Sequence, residues 1–397
     1  MAASIAACTI CMQPLGLLEQ GMKKVYEQRK GRDLSLKSSG VRQLGFIMMA
    51  TALFMYMLLY APTPYVMYEP GLAAPTKPMV RLGEGQDDDV AVKPSASPSP
   101  ASKPEEGAFL MTAVRLSDAN WWETLSSAWD KDIATYSRSS ILRGYTEQEY
   151  AERMTVVMQG SQNQAIEAAY RFAHLSYQSV VDSIAVSDVL QGSDGSGWEP
   201  GDVLVSLKGG KPFADAKQIV SELGAHKPGD EAVFTVKRAG AEQDVAITLG
   251  AYEAPLTPDK LPVALGGIQL AELRSLKPDD SRFKLQIDAG AIGGPSAGLM
   301  FALQSLDLLL DKQDLTGGAI IAGTGTIAAD GTVGEIGGIA FKVIAASREG
   351  AELFLAPSAN YKEAADKAKD IKASMKVVSV TSLSEAKQMI EQYISEK

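Results

Sequence analysis

Histidine and cysteine are nearly absent from this 397-residue chain: His174 and His226 are its two histidines, Cys8 and Cys11 its two cysteines. So few imidazoles and thiols leave no ligand set for most zinc sites, no multi-bridge disulfide scaffold and no protease of the Cys-His kind. Cys8 and Cys11 form a C-x-x-C, but two further ligands and a βαβ setting are both missing from the short lead that holds them. They read as reduced or lipidated thiols. Positive charge is short as well. A net charge of −10 and a pI near 5.0 argue against nucleic acid as a partner. No G-x-x-x-x-G-K-[ST] occurs, so the chain carries no P-loop for ATP. No metal and no cofactor is expected.

What is present begins with a long apolar run. No residue between Gln43 and Tyr68 is charged, and 44-LGFIMMATALFMYMLLY-60 within it is enough to cross a bilayer as one helix. Residues 1–43 hold seven Lys and Arg against three acids, which by the positive-inside rule keeps that segment cytoplasmic and puts the remainder outside. Tyr56, Tyr60, Tyr65 and Tyr68 gather toward the far end, as an interfacial belt would. A cleaved signal peptide is the rival reading, but the basic lead is long and no A-x-A site follows closely.

Composition then divides the rest, which at 46% hydrophobic and 22% charged is long enough for two or three cores. The stretch 83-GEGQDDDVAVKPSASPSPASKPEEG-107 cannot bury a core and reads as a linker. After it, 108-AFLMTAVRL-116 is strand-like, and residues 146–173 form a long amphipathic helix opened by a capping box of Thr146 and Glu149. From about Tyr177 to Gly250 short strands surround one helix: a Pro-Gly-Asp turn, a Val/Leu-rich strand, a Gly-Gly turn and a helix, then two alternating strands. In order of pieces this passage resembles a bacterial PDZ domain. The resemblance implies a unit that binds extended peptides by adding them as a strand. No clear glycine-hydrophobic-glycine loop precedes the first strand, so capture of a C-terminal carboxylate is not implied; a β domain that merely spaces its neighbours is the alternative.

The third unit holds 294-GPSAG-298, the G-x-S-x-G pattern of a nucleophile elbow. Ser296 there is either a nucleophile or a helix N-cap. In an α/β-hydrolase a histidine follows the serine, whereas both histidines of this chain precede it. The remaining base is a lysine whose pKa burial has pulled down. Lys342 stands out, because Ile339, Lys342, Val343 and Ala346 fall at i, i+3, i+4 and i+7 on a helix opened by glycines. Snorkelling, or pairing with Glu335, is its bland explanation. The other lysines after Ser296 sit in polar runs and read as solvated.

Gly294-Pro295-Ser296-Ala297-Gly298, 323-GTGTI-327, 330-DGTVGEIGG-338 and Lys342 in 341-FKVIAA-346 together resemble the proteolytic domain of Lon-type serine proteases, over roughly Asp288 to Pro357. The resemblance implies Ser296 as nucleophile, Lys342 as general base and Thr324 as the residue that orients the lysine amine. Gly294 and Ala297 fall at the turn or oxyanion site. Gly293 stands where Lon proteases commonly carry an aspartate. With the anchor and the PDZ-like passage, the order of parts is similar to the membrane-anchored PDZ and Lon-type proteases of Gram-positive bacteria, the YlbL/SepM-like family. What this implies is an α/β (α+β) multidomain chain. Its expected parts are a cytoplasmic segment over residues 1–43, a transmembrane helix over 44–66, a linker over 67–106, a strand-plus-helical region over 107–175, a PDZ-like domain over 176–252 and a protease domain over 255–397. The implied activity is ATP-independent endopeptidase cleavage of peptides or flexible protein segments outside the cytoplasm, by a chain held in the lipid bilayer and able to form homo-oligomers. Alternatives are a catalytically dead PDZ-based scaffold and an esterase or amidase.

Overall fold

The structure is a computed structural model, and it describes residues 15–83, 107–130, 132–190, 197–290, 292–310 and 314–397. Cys8, Cys11 and most of the Pro/Ser-rich linker lie outside these residues. The chain divides into two compact units, one of residues up to Thr63 together with Asn120–Leu125, the other of Pro64–Ala119 with Ser126–Lys397.

In the first unit helix α1 runs Leu15–Tyr60, and its Val41–Tyr60 segment of 20 residues is long and apolar enough to cross a membrane. At a rise of about 1.5 Å per residue that segment is about 30 Å long, the thickness of a hydrocarbon core. The helix stops six residues short of the expected 66. Pro62 and Pro64 lack the N–H groups a helix would need and push Ala61 and Thr63 into extended backbone, so strand β1 (Pro62–Pro75) follows at once.

Short strand β2 (Val80–Leu82), long strand β3 (Ala108–Asn120), helix α2 (Trp121–Ser126), β4 (Ala134–Ser137), α3 (Arg138–Leu142) and the 26-residue α4 (Glu147–Phe172) come next. The capping box of Thr146 and Glu149 forms as the sequence predicts: the Glu149 N–H donates to Thr146 Oγ1, and the Thr146 N–H donates to Glu149 Oε2. Then β5 (Tyr177–Val189), β6 (Val203–Leu207), α5 (Ala216–Leu223), β7 (Glu231–Arg238), β8 (Ala241–Thr248), α6 (Leu261–Ala264) and β9 (Ile268–Pro278) build a five-stranded antiparallel sheet in the order β8-β7-β6-β5-β9. Its apolar face closes with α5 over a core that includes Ile184, Leu204, Ile219, Leu223, Phe234 and Val236.

The last part of the chain supplies β10 (Leu285–Ile287), α7 (Gly298–Leu309), β11 (Ile320–Gly323), the β12 (Thr326–Ile327) and β13 (Val333–Gly334) pair, α8 (Ile339–Arg348), β14 (Leu353–Pro357), α9 (Tyr361–Asp370), β15 (Lys376–Val380) and α10 (Leu383–Glu396). A six-stranded sheet in the order β15-β14-β11-β3-β1-β4 runs through its centre. β3, β11, β14 and β15 pair in parallel, and alternate residues point to opposite faces. Phe109, Met111, Ile321, Leu353 and Leu355 belong to one core with residues of α4, α7 and α10, whereas Leu110, Ile320, Ala322, Phe354 and Ala356 belong to another with residues of α8 and α9. A sheet buried on both faces explains why β11 and β14 are continuous apolar runs.

Two placements differ from the sequence reading. β1, β3 and β4 fall in segments read as linker and as a separate region, yet they complete the sheet of the C-terminal part. β9 falls inside the stretch read as protease, yet it pairs with β5 in the five-stranded sheet.

Candidate active site

Parallel strands leave their ligand sites at their carboxyl ends, and β11 is followed there by Thr324. Helices α7 and α8, packed on opposite faces of the sheet, meet at that edge. The segment 292–294 reaches α7 through a turn in which Gly294 has φ 90°, a conformation that excludes most side chains. Its N–H donates to the Met154 carbonyl of α4 at 3.1 Å. Gly294 is thus spent on the turn, and its N–H is not available to an oxyanion.

Helix α4 braces this turn. A Cβ on Gly293 would lie 2.8 Å from Met154 Cβ, so no side chain fits where Lon proteases commonly carry an aspartate. Ser161 Oγ donates to the Pro295 carbonyl at 2.9 Å. A Cβ on Gly298 would come within 2.8 Å of both Ser161 Oγ and Ile327 Cγ2, so the second glycine of G-x-S-x-G is what lets α7 approach α4 and β12. Sequence reasoning missed Met154 and Ser161. Their sequence signal is faint: a serine at the start of a small-residue stripe, Ser161, Ala165 and Ala169, on the buried face of the helix.

From the other side, the β11–β12 turn fastens the serine. The Ser296 carbonyl accepts from the Gly325 N–H at 2.8 Å and from Thr324 Oγ1 at 2.9 Å, while the Leu299 N–H donates to the Gly325 carbonyl. Ser296 and Ala297 lie in the short 3₁₀ turn Pro295–Ala297 that leads into α7, where N–H groups generally lack intrahelical partners.

Lys342 approaches from α8. Gly338, with φ 69°, begins that helix, and a Cβ there would meet Val114 Cγ1 of β3 at 2.9 Å. Ile339, Val343 and Ala346 anchor α8 in the core beneath the sheet. Lys342 is 2% exposed, and its Nζ lies 2.6 Å from Ser296 Oγ and 2.9 Å from Thr324 Oγ1. The structure therefore brings Ser296, Lys342 and Thr324 together, with Ala297 in the same turn. Glu335 is not the lysine's partner: among the described residues Lys342 forms no ion pair. Burial without a counter-charge disfavours the ammonium form and pulls the Lys342 pKa from 10.5 to about 7. A substantial fraction of free amine at neutral pH, beside a hydroxyl, can accept that hydroxyl's proton. Among the described residues no cluster of three or more His, Cys, Asp or Glu is arranged to hold a metal.

A family model described as the Lon protease (S16) C-terminal proteolytic domain matches residues 272–392. A Lon protease of Campylobacter concisus (strain 13826) is 36% identical over 105 residues, which is 25% of this chain and 12% of that protein. The chain thus spans a small part of that relative's length. Among solved structures, the solution structure of GtR34C from Geobacillus thermodenitrificans is 24% identical over 20% of this chain and 88% of that one; its TM-score of 0.17 is too low to bear on the site. Residues 272–392 are similar to a Lon proteolytic domain, which implies serine peptidase activity.

Proposed function

We propose that this chain is an ATP-independent serine endopeptidase working through a Ser296-Lys342 dyad, tethered to a membrane by α1 and acting outside the cytoplasm. The observation that carries the reading is the 2.6 Å contact of a buried, carboxylate-free lysine amine with a serine hydroxyl at the head of a helix. In the proposed reaction neutral Lys342 takes the Ser296 proton as Oγ bonds to the scissile carbonyl carbon. The carbonyl oxygen becomes an oxyanion, for which the Ser296 and Ala297 N–H groups at the start of α7 are the proposed donors. When the tetrahedral adduct collapses, the C–N bond breaks and the leaving amine receives the proton from the Lys342 ammonium. Water then gives a proton to Lys342 and attacks the acyl ester, releasing the new carboxyl terminus and restoring Ser296. Thr324 Oγ1, accepting from the lysine Nζ while donating to the Ser296 carbonyl, holds the amine on line.

The five-stranded unit is proposed to be a PDZ-like module. Its outer strand β9 pairs only with β5 within the sheet, and α5 lies alongside: the Ala216 N–H donates to Glu272 Oε1 at 3.3 Å. An extended peptide added along β9 would use that edge. The substrate is accordingly a peptide or an unstructured protein segment, since no ATP-driven unfolding module is encoded.

The test is cleavage of casein by the purified full chain in detergent or vesicles, with Ser296→Ala and Lys342→Ala beside it. Cleavage lost in both variants supports the dyad. Full activity in Lys342→Ala overturns the mechanism, and an inert wild type favours a PDZ-based scaffold.

A further inference from the structure

The chain has four tryptophans, and they are used in opposite ways. Trp198 is buried in the five-stranded unit, where its Nε1 donates to the Leu265 carbonyl. Trp121, Trp122 and Trp129 lie within nine residues and are all exposed, Trp129 to 78%. Leu125 is exposed beside the first two, and α2 buries none of its residues. Its presentation is nonetheless firm. The Glu123 N–H donates to Asn120 Oδ1 at 2.8 Å, the Asn120 N–H donates back to Glu123 Oε2 at 2.9 Å, and Thr124 Oγ1 donates to the Asn120 carbonyl. A helix fixed by such a reciprocal cap while its indoles stay in solvent is built to show them to something.

Asn120–Leu125 and the chain up to Thr63 form one compact unit, so α2 belongs with the end of the apolar span at Tyr60. Strand pairing supplies the reason. Thr76 is bonded to Phe109, and Gly71 lies against Val114, so β1 and β3 run antiparallel and the end of β3 comes beside the start of β1, two residues after the span. Indole, with an apolar body and one N–H, partitions to the carbonyl and headgroup level of a bilayer, where Trp and Tyr belts gather.

We propose that α2 is a second membrane contact, with Trp121, Trp122 and Leu125 seated in the interfacial zone of the bilayer that α1 crosses. The proposal rests on the reading of α1 as a span. Its chemistry is aromatic rather than electrostatic: Glu123, Asp130 and Asp132 are the acids of this stretch, so anionic lipid is not what attracts it. A one-point tether becomes a two-point mount, which holds the protease close to the surface and favours substrate segments near the membrane.

The experiment is tryptophan fluorescence of the full chain reconstituted in phosphatidylcholine vesicles that carry a nitroxide either near the headgroup or deep in the acyl chain. The expected result is a blue shift with at least half of the emission quenched by the shallow nitroxide and less by the deep one. Trp121→Phe/Trp122→Phe should lose most of that quenched component while Trp198 emission persists. Protein that stays with the vesicles through a carbonate wash but shows emission indifferent to the nitroxide overturns the proposal and leaves the span standing. Protein released by the wash overturns both. Quenching seen only when phosphatidylglycerol is added overturns the aromatic chemistry.

Discussion

Two buried cations in this chain are treated in opposite ways. In the five-stranded unit the Arg238 guanidinium forms a fork with Asp202, Nε to Oδ1 and Nη2 to Oδ2 both at 2.6 Å, and its remaining donors reach Glu199 Oε1 and the Gly197 carbonyl. Asp202 is fully buried, and its hydrogen bond holds the Arg238 pKa above the usual value. In the protease part Lys342 is as deeply buried, yet it faces two hydroxyls and no carboxylate, and its pKa falls to about 7. A cation paired with a carboxylate stays charged and locks a fold together. A cation left without one sheds its proton and becomes a base.

The largest expected effect comes from removing that base or its partner. Ser296→Ala and Lys342→Met should each lower kcat/KM for casein by about 10³-fold or more, because nucleophile and base act as a unit. Their stabilities should diverge. Unfolded Lys342 binds its proton up to about pH 10.4, whereas folded Lys342 releases it above about 7, so over that window the unfolded state holds more protons and the lysine weakens the fold. The penalty is full below pH 7 and vanishes as pH rises through 10. Lys342→Met should therefore raise Tm, most at neutral pH and least near pH 10, as calorimetry across that range would show. A Met variant that melts below the wild type at pH 7 would mean that the lysine is structural after all.

Breaking the paired cation should do the reverse. Arg238→Met strands a fully buried carboxylate, and loss of one partner of such a pair costs about 3–5 kcal/mol. The expected outcome is a lower denaturation midpoint for the five-stranded unit, with hydrolysis of a short ester substrate kept near the wild-type rate. Hydrogen exchange on β6 and β7 would locate the loss.

How far the sequence led differs between the same two regions. Ser296, Thr324 and Lys342 were readable because each carries its oddity locally: a serine in a glycine turn, a threonine after an apolar strand, a lysine in an apolar stripe. The capping box at Thr146, the strand at 108–116 and the two strands flanking Gly240 were local too. Strand partners were not, since pairing is decided between segments far apart in the chain and leaves little trace in either one. Nothing in 62-PTPYVMYEPGLAAP-75 says that it lies beside β3, and nothing in Ile268–Pro278 says that it closes the sheet of β5 rather than the later one. The bracing of the serine turn by Met154 and Ser161 was hidden for the same reason, 134 residues separating Ser161 from Pro295.

A smaller effect sharpens the contrast between lock and base. Thr324 Oγ1 is the lysine's second partner, and Thr324→Val keeps the shape while removing it. One hydrogen bond to a charged group is worth about 1.5–3 kcal/mol, so the plateau rate should fall about 10- to 100-fold if the amine loses its alignment at the moment it is protonated.

The least effect, and the most discriminating, concerns pH. Wild-type kcat/KM should rise about tenfold per unit below pH 7 and level off above it, as free amine replaces ammonium. A hydroxyl oxygen that accepts from the ammonium favours the charged form, so it holds the lysine pKa up against burial. Thr324→Val takes that oxygen away, and the rise should then move to lower pH while the plateau drops. A merely structural threonine would lower the plateau and leave the inflection where it was. The displacement therefore reports whether Thr324 acts on the lysine amine itself, and an inflection that moves upward would mean that the lysine's charge is being stabilised by a group other than this hydroxyl.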